Sequence, residues 1–231
     1  MKTILIRHAE STAVADPSIW DIPSNSAVGL STTGVHQCVK LASTLDNLFS
    51  KINPDPKDCC VLSSTMLRTE QTYQLCRDLV KTTHRNLFKN RYSLSCLNEL
   101  LDWRFPEEST NVPNEFLSWY NNCSTNSNFR SWDSMVASTG LGFFLGRKGT
   151  DNRLQMIFSH HYPINALLTN NLTKVMSPTK SVSPQKLVAI QNLNIPNAVP
   201  ILLGFDTNVD YPGCIHGEHL IENASVSSVS T

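Results

Sequence analysis

Neither sign of charge prevails in this sequence. Nineteen lysines and arginines face nineteen aspartates and glutamates, so the field that draws proteins onto nucleic acid or acidic lipid is missing, and any anion site has to be local. No nucleic-acid or membrane partner is expected. Long apolar runs are missing too. Only Ile4, Leu5 and Ile6 stand together ahead of Arg7, too few for the core of a signal peptide, and nothing later approaches the roughly 20 residues that span a bilayer. A cytoplasmic setting is the expectation. Cysteine is sparse and unpaired in pattern: the seven are odd in number and scattered. Adjacent Cys59 and Cys60 would point to opposite faces of a strand. That excludes a disulfide framework and fits reduced thiols, and in such a compartment the sequons at Asn122, Asn171 and Asn223 read as chance matches. There is no internal repeat.

What the sequence does have is enough apolar matter for one core, 40% of 231 residues, and an alternation of strand and helix signals. A β-branched run at 3–6 leads into a loop-like stretch at 13–29. From Gly34 onward Cys38, Leu41, Ala42, Leu45, Leu48 and Phe49 recur at helical spacing. Prolines between 52 and 58 stop that helix, and 59–62 reads as a second strand. Thr69, Thr72, Tyr73, Cys76, Leu79 and Val80 mark a second helix. A third strand is expected at 92–97, a helix at 112–120 with Pro113 in its first turn, a strong strand at 154–158, a helix at 163–172 opened by Pro163, and a last strand at 199–205. The order predicts an α/β three-layer sandwich, a mainly parallel sheet with helices on both faces. One domain is expected over 1–221, with 91–151 as an insertion over the site and 222–231 as a polar tail.

The ends of the strands carry the chemistry. The first ends in Arg7-His8, the second leads through Ser63-Ser64 to Arg68, and the strong late strand ends in Ser159-His160-His161. In open parallel sheets ligands bind beyond the carboxyl ends of strands, so these ends can meet in one crevice. Cations packed there would repel by about 4 kcal/mol per pair at roughly 4 Å and an effective dielectric near 20. An anion must normally relieve them. Tetrahedral phosphate suits guanidinium forks, and nearby positive charge keeps a histidine neutral, the form that can attack phosphorus. Singly, Arg7 reads equally well as an ion-pair partner of Glu10, and His160 as a core histidine. Cys214, His216 and His219 have a zinc-like spacing but no evident fourth ligand and read as incidental.

Together these blocks resemble the histidine phosphatase superfamily in its phosphoglycerate-mutase-like branch. An Arg-His-Gly-Glu signature is similar to Arg7-His8-Ala9-Glu10. A Leu-Thr-x-x-Gly-x-x-Gln-Ala helix start resembles Leu30 to Cys38, and a Ser-Ser-x-Leu-x-Arg-Thr-x-Gln-Thr block resembles Ser63 to Thr72. Leu97-Asn98-Glu99 matches a Leu-x-Glu element, and Ser159-His160-His161 a late Ser-His-Gly. The resemblance runs in order from Met1 to about Asp206. It implies a metal-independent, cofactor-free phosphatase. His8 would be the nucleophile that becomes phosphohistidine, Arg7, Arg68 and His160 would hold the phosphoryl group, and Glu99 would act as acid and then base. Asp102, Glu107 and Glu108 stand near enough in sequence to be alternatives to Glu99. His161, where glycine is usual, would lie beside the phosphate, either narrowing substrate choice or marking the wrong member of the pair. Ala9 and Trp103 also replace glycines of the pattern, and only Leu193-Asn194-Ile195-Pro196 is similar to the mutases in particular.

Three functions follow from the resemblance: a phosphomonoesterase for a small phosphorylated metabolite or a phosphoprotein, a mutase-type phosphotransferase, and a phosphate-binding module without turnover. The acid is testable from the sequence alone. Glu99→Gln is expected to be severe with an alkyl phosphate, whose alkoxide needs a proton to leave, and mild with p-nitrophenyl phosphate, whose leaving group departs unaided. Equal losses in kcat on the two substrates would make Glu99 a structural residue.

Overall fold

The computed structural model describes residues 2–15, 27–94, 97–98, 153–161, 163–168 and 193–220. The expected helix at 112–120, most of the expected insertion and the tail at 222–231 lie outside the described residues.

A six-stranded sheet forms the centre. Its strands are β1 (Lys2–Arg7), β2 (Cys59–Ser63), β3 (Arg91–Ser93), β4 (Leu154–Ser159), β5 (Pro200–Leu203) and β6 (Ile215–His216), in the spatial order β3-β2-β4-β1-β5-β6. The first four neighbours run parallel, with Arg7 beside Ser159 and Ser63 beside Phe158. β5 turns antiparallel against β1, and β6 follows it. The mixed, mainly parallel sheet is as expected, while two strands are shorter than their apolar runs predict and β6 is additional. β3 stops at Ser93 because the chain then turns, Leu97 N–H donating to the Leu94 carbonyl, and this drops Leu97 into the core.

Alternation along the strands builds two cores. Ile4, Ile6, Val61, Met156 and Phe158 face one side, where they meet α2 (Thr32–Ile52) and α3 (Leu67–Leu79) through Cys38, Leu41, Leu45, Phe49, Tyr73 and Cys76. Leu5, Leu62 and Ile157 face the other, against Ile164, Leu167 and Leu168 of the helical segment at 163–168. Each such side chain contributes about 1.5–3 kcal/mol when fully buried, and the period of two forces both faces to be covered. Three layers result.

How α2 begins fixes where the end of β1 lies. Ser31 caps the helix, its Oγ accepting from Gly34 N–H at 3.0 Å and donating to Glu10 Oε1 at 2.7 Å. Glu10 N–H donates to Gln37 Oε1 at 2.8 Å, and Leu30 N–H donates to Gln71 Oε1 at 2.8 Å. A Cβ on Gly34 would collide with the Glu10 carbonyl oxygen, so glycine is required for the helix to come this close. The short helix α1 (Thr12–Ala15) begins directly after the segment so held.

Gly34→Ala should therefore cost about 1–3 kcal/mol, because helix and strand end must separate. Thr33→Ala, at an exposed neighbouring position, should stay within about 0.5 kcal/mol. Urea denaturation of the two variants checks the difference.

Candidate active site

β1, β4 and β2 lie side by side and run the same way, so their carboxyl ends share one edge. The residues just past those ends stay tied to it. His8 N–H donates to Ser159 O at 2.9 Å, and Ser64 N–H donates to Phe158 O at 2.9 Å. His160 follows β4, and Arg68 sits in the first turn of α3.

His8 Nδ1 lies 2.7 Å from the Ala9 carbonyl oxygen. A carbonyl can only accept, so Nδ1 carries the hydrogen and Nε2 keeps its lone pair. Arg68 Nε donates to that lone pair at 3.2 Å. Both side chains are buried, and His160, with no exposed surface, places its ring 4.9 Å from that of His8. His160 Nε2 is 2.8 Å from Ser64 Oγ and 3.1 Å from Thr69 Oγ1. Arg7 is gripped at both ends: its Nη1 donates to Ile195 O at 2.8 Å, and its own carbonyl accepts from Ala198 N–H at 3.0 Å. Ala198 makes that bond at φ 53°, a left-handed conformation costing an L residue about 1–2 kcal/mol.

The electrostatics follow from this packing. Burial first, then Arg68 and, more weakly, Arg7, lower the His8 pKa to about 3, against an opposing contribution from its bond to the Ala9 carbonyl. His160 is held well below its usual range by burial, His8, Arg68 and Arg7. At neutral pH the cluster holds two guanidinium charges and two neutral imidazoles, one of them with a lone pair on Nε2 under an arginine. Such a site can bind a tetrahedral anion and offer it a nitrogen nucleophile.

No protein-family model matches the chain, and no curated protein matches it significantly by sequence. Solved structures do match. The chain superposes on a mycobacterial glucosyl-3-phosphoglycerate phosphatase in complex with VO3 with a TM-score of 0.57 at 17% identity, covering 93% of this chain and 95% of that one. On an H9A mutant of the phosphoserine phosphatase of Entamoeba histolytica in complex with phosphoserine, the TM-score is 0.55 at 18% identity, over 89% of this chain and 91% of that one. The fold is that of the phosphoglycerate-mutase-like histidine phosphatases.

Within this histidine-phosphatase fold the sequence-predicted residues are placed as follows. His8, Arg68 and His160 are in one cluster, and Arg7 adjoins it. His161 follows where β4 has ended and the chain is helical, and its half-buried ring accepts from Asn165 Nδ2 at 3.2 Å. Glu99 lies outside the described residues, as do Asp102, Glu107 and Glu108. His216 Nε2 donates to Val209 O at 3.2 Å, and its ring lies 5.3 Å from that of His219; among the described residues no group of three or more His, Cys, Asp or Glu could hold a metal ion. Also among them, no helix is long and apolar enough to cross a membrane.

Several residues of the site went unassigned in the sequence. Thr72 Oγ1 accepts from Ala9 N–H at 3.0 Å and donates to Arg68 O at 2.7 Å, joining the two elements that meet at His8. Ser64 and Thr69 hold His160. All three stand within the Ser63–Thr72 block, which is the signal that could have found them.

The two neutral histidines make stability depend on pH. Both pKa values are lower in the folded state, so as pH falls from 6.5 toward about 3 the unfolded chain binds protons that the folded chain refuses. Stability tied to His8 is fully present above 6.5 and is lost through that window. Each histidine adds a slope of up to about 1.4 kcal/mol per pH unit. In urea titrations, His8→Gln should flatten the acid slope by up to that one-proton amount and leave the slope above pH 7 unchanged.

Proposed function

We propose that the chain is a phosphomonoesterase that works without a metal, through a phosphohistidine at His8, on a small phosphorylated metabolite or a phosphoprotein. The observation that carries this reading is the state of His8: a buried neutral ring whose Nδ1 hydrogen is committed to Ala9 O and whose Nε2 lone pair sits under Arg68. The fold shared with phosphatases supports it.

A phosphoryl group entering the cluster replaces Arg68 on Nε2 and takes the arginine N–H groups onto its own oxygens. The Nε2 lone pair then forms the bond to phosphorus as the bond to the ester oxygen breaks, and Glu99, protonated, gives its hydrogen to the departing alkoxide. Water completes the cycle: Glu99, now a carboxylate, takes a proton from it, oxygen attacks phosphorus, and the N–P bond breaks to return neutral His8 and phosphate. Throughout, the Nδ1 hydrogen stays with Ala9 O and disperses the positive charge that develops on the ring. Arg7, Arg68 and His160 face the equatorial oxygens, over which charge is spread in the transition state.

Phosphate release from sugar phosphates, nucleotides and phosphopeptides, measured with EDTA present, tests the activity and its substrate class. Activity lost in EDTA and restored by Mg²⁺ or Zn²⁺ would overturn the mechanism, and phosphoryl transfer to an added alcohol in preference to water would make the protein a mutase-type phosphotransferase. His8→Ala should lower turnover by at least about 10³-fold while vanadate, held by the arginines, still binds. Retained turnover in this variant would remove His8 from the reaction path.

A further inference from the structure

Asn98 is fastened to the loop after β2 by both ends of its amide. Thr65 N–H lies 2.9 Å from Oδ1, and Nδ2 lies 2.9 Å from Thr65 Oγ1. A backbone N–H can only donate, so the atom opposite it is the amide oxygen and the orientation of Asn98 is fixed. Ser64 Oγ is 2.6 Å from the same oxygen. Two acceptors cannot approach this closely without a hydrogen between them, so the Ser64 hydroxyl spends its one hydrogen on Asn98. Its lone pairs remain. One accepts from Met66 N–H at 3.2 Å, and the other faces His160 Nε2 at 2.8 Å.

We infer that Asn98 is a positioning residue for His160: by holding the Ser64 hydroxyl as a donor, its side-chain oxygen makes Ser64 Oγ the acceptor for an N–H at His160 Nε2. Thr69 Oγ1, 3.1 Å from the same nitrogen, shares that hydrogen. The neutral ring then keeps its lone pair on Nδ1, and any second proton must be taken there. That proton is opposed by burial and, among the described residues, by His8 and Arg7 from the end of β1 and Arg68 from α3. An incoming phosphate-ester monoanion reverses the field, so that its own proton passes to His160 Nδ1, leaving the ester a dianion and the ring a charged donor to a phosphoryl oxygen. The segment carrying Asn98 is pinned to β4 as well, Ser159 Oγ donating to Leu97 O at 2.8 Å.

The consequence for turnover rests on the function proposed above; the tautomer does not. Side-chain ¹⁵N NMR of the histidines in the unliganded protein should show His160 with its hydrogen on Nε2. In Asn98→Ala the Ser64 hydroxyl is released to donate toward Nε2, so the Nδ1–H form should appear, and kcat should fall about 10- to 100-fold, by analogy with groups that orient metal-bound histidines. Asn98→Asp keeps an acceptor for both Ser64 and Thr65 and should retain the wild-type tautomer and recover most of the turnover. A residue that merely staples the loop would leave the tautomer unchanged in Asn98→Ala. That result, or an Nδ1–H form of His160 in the wild type, overturns the inference. Should Asn98→Ala fail to fold, Ser64→Ala removes the acceptor directly, and an unchanged tautomer there overturns it equally. Wild-type protein with the stated tautomer but no phosphate release would refute the proposed function while leaving Asn98 in its role.

Discussion

The hydrogen bond from His8 Nδ1 to the Ala9 carbonyl is the interaction on which the site depends. It decides which nitrogen bears the hydrogen, and so whether the lone pair lies against Arg68 or away from it. The bond spans one residue and could be made by many turn conformations, so its geometry has to be imposed from outside. Thr72 takes the Ala9 N–H, Gln37 takes the Glu10 N–H, and Ser31 binds the Glu10 carboxylate. Gly34 lets α2 approach closely enough for the last two. The three residues after β1, His8 to Glu10, are thus clamped by two helices on one face of the sheet. Much of the packing of α2 and α3 can be read as the means of holding one imidazole still.

Electrostatics then separates what folding tolerates from what the ligand must supply. Two arginines and two histidines near one another, mostly out of water, could not all be charged. The histidines yield, since an imidazole loses its proton far more readily than a guanidinium does. Arg68, at 5% exposure, keeps its charge and donates from Nε to His8 Nε2. An anion that replaces the nitrogen at that N–H brings the opposite charge to it.

Legibility in the sequence followed the range of the interactions. β1, β2 and β4 could be read because burial on both faces leaves continuous apolar runs, and α2 because Cys38, Leu41, Leu45 and Phe49 keep the helical period over several turns. At 92–97 the apolar residues suggested a strand, yet Leu97 reaches the core from a turn, and hydropathy does not distinguish the two routes to burial. In α3 the pattern included Leu79, which is 46% exposed while Val80 just beyond the helix is buried; the helix ends between them, and periodicity past an end carries no information. β6 is two residues long and has no pattern to detect. The grip on Arg7 comes from a carbonyl oxygen, that of Ile195, which any residue would provide, so no side-chain identity could announce it.

The two histidines show most clearly how context, and not residue type, assigns chemistry. They are the same side chain, both buried, both kept neutral by that burial and by the same arginines. What differs is the partner of one nitrogen. His8 meets a carbonyl at Nδ1 and is left with a lone pair at Nε2. His160 meets, at Nε2, a serine oxygen whose hydrogen has already gone to Asn98, and is left with its lone pair at Nδ1. Opposite tautomers follow from a backbone carbonyl one residue away in one case and from an asparagine 62 positions earlier in the chain in the other. The first partner travels with the Arg-His segment itself and so lies within a local motif. The second exists only once β2, β4 and the 97–98 segment have come together. The tautomer of His8 can therefore be specified locally, whereas that of His160 needs the assembled sheet edge to hold its proton on Nε2.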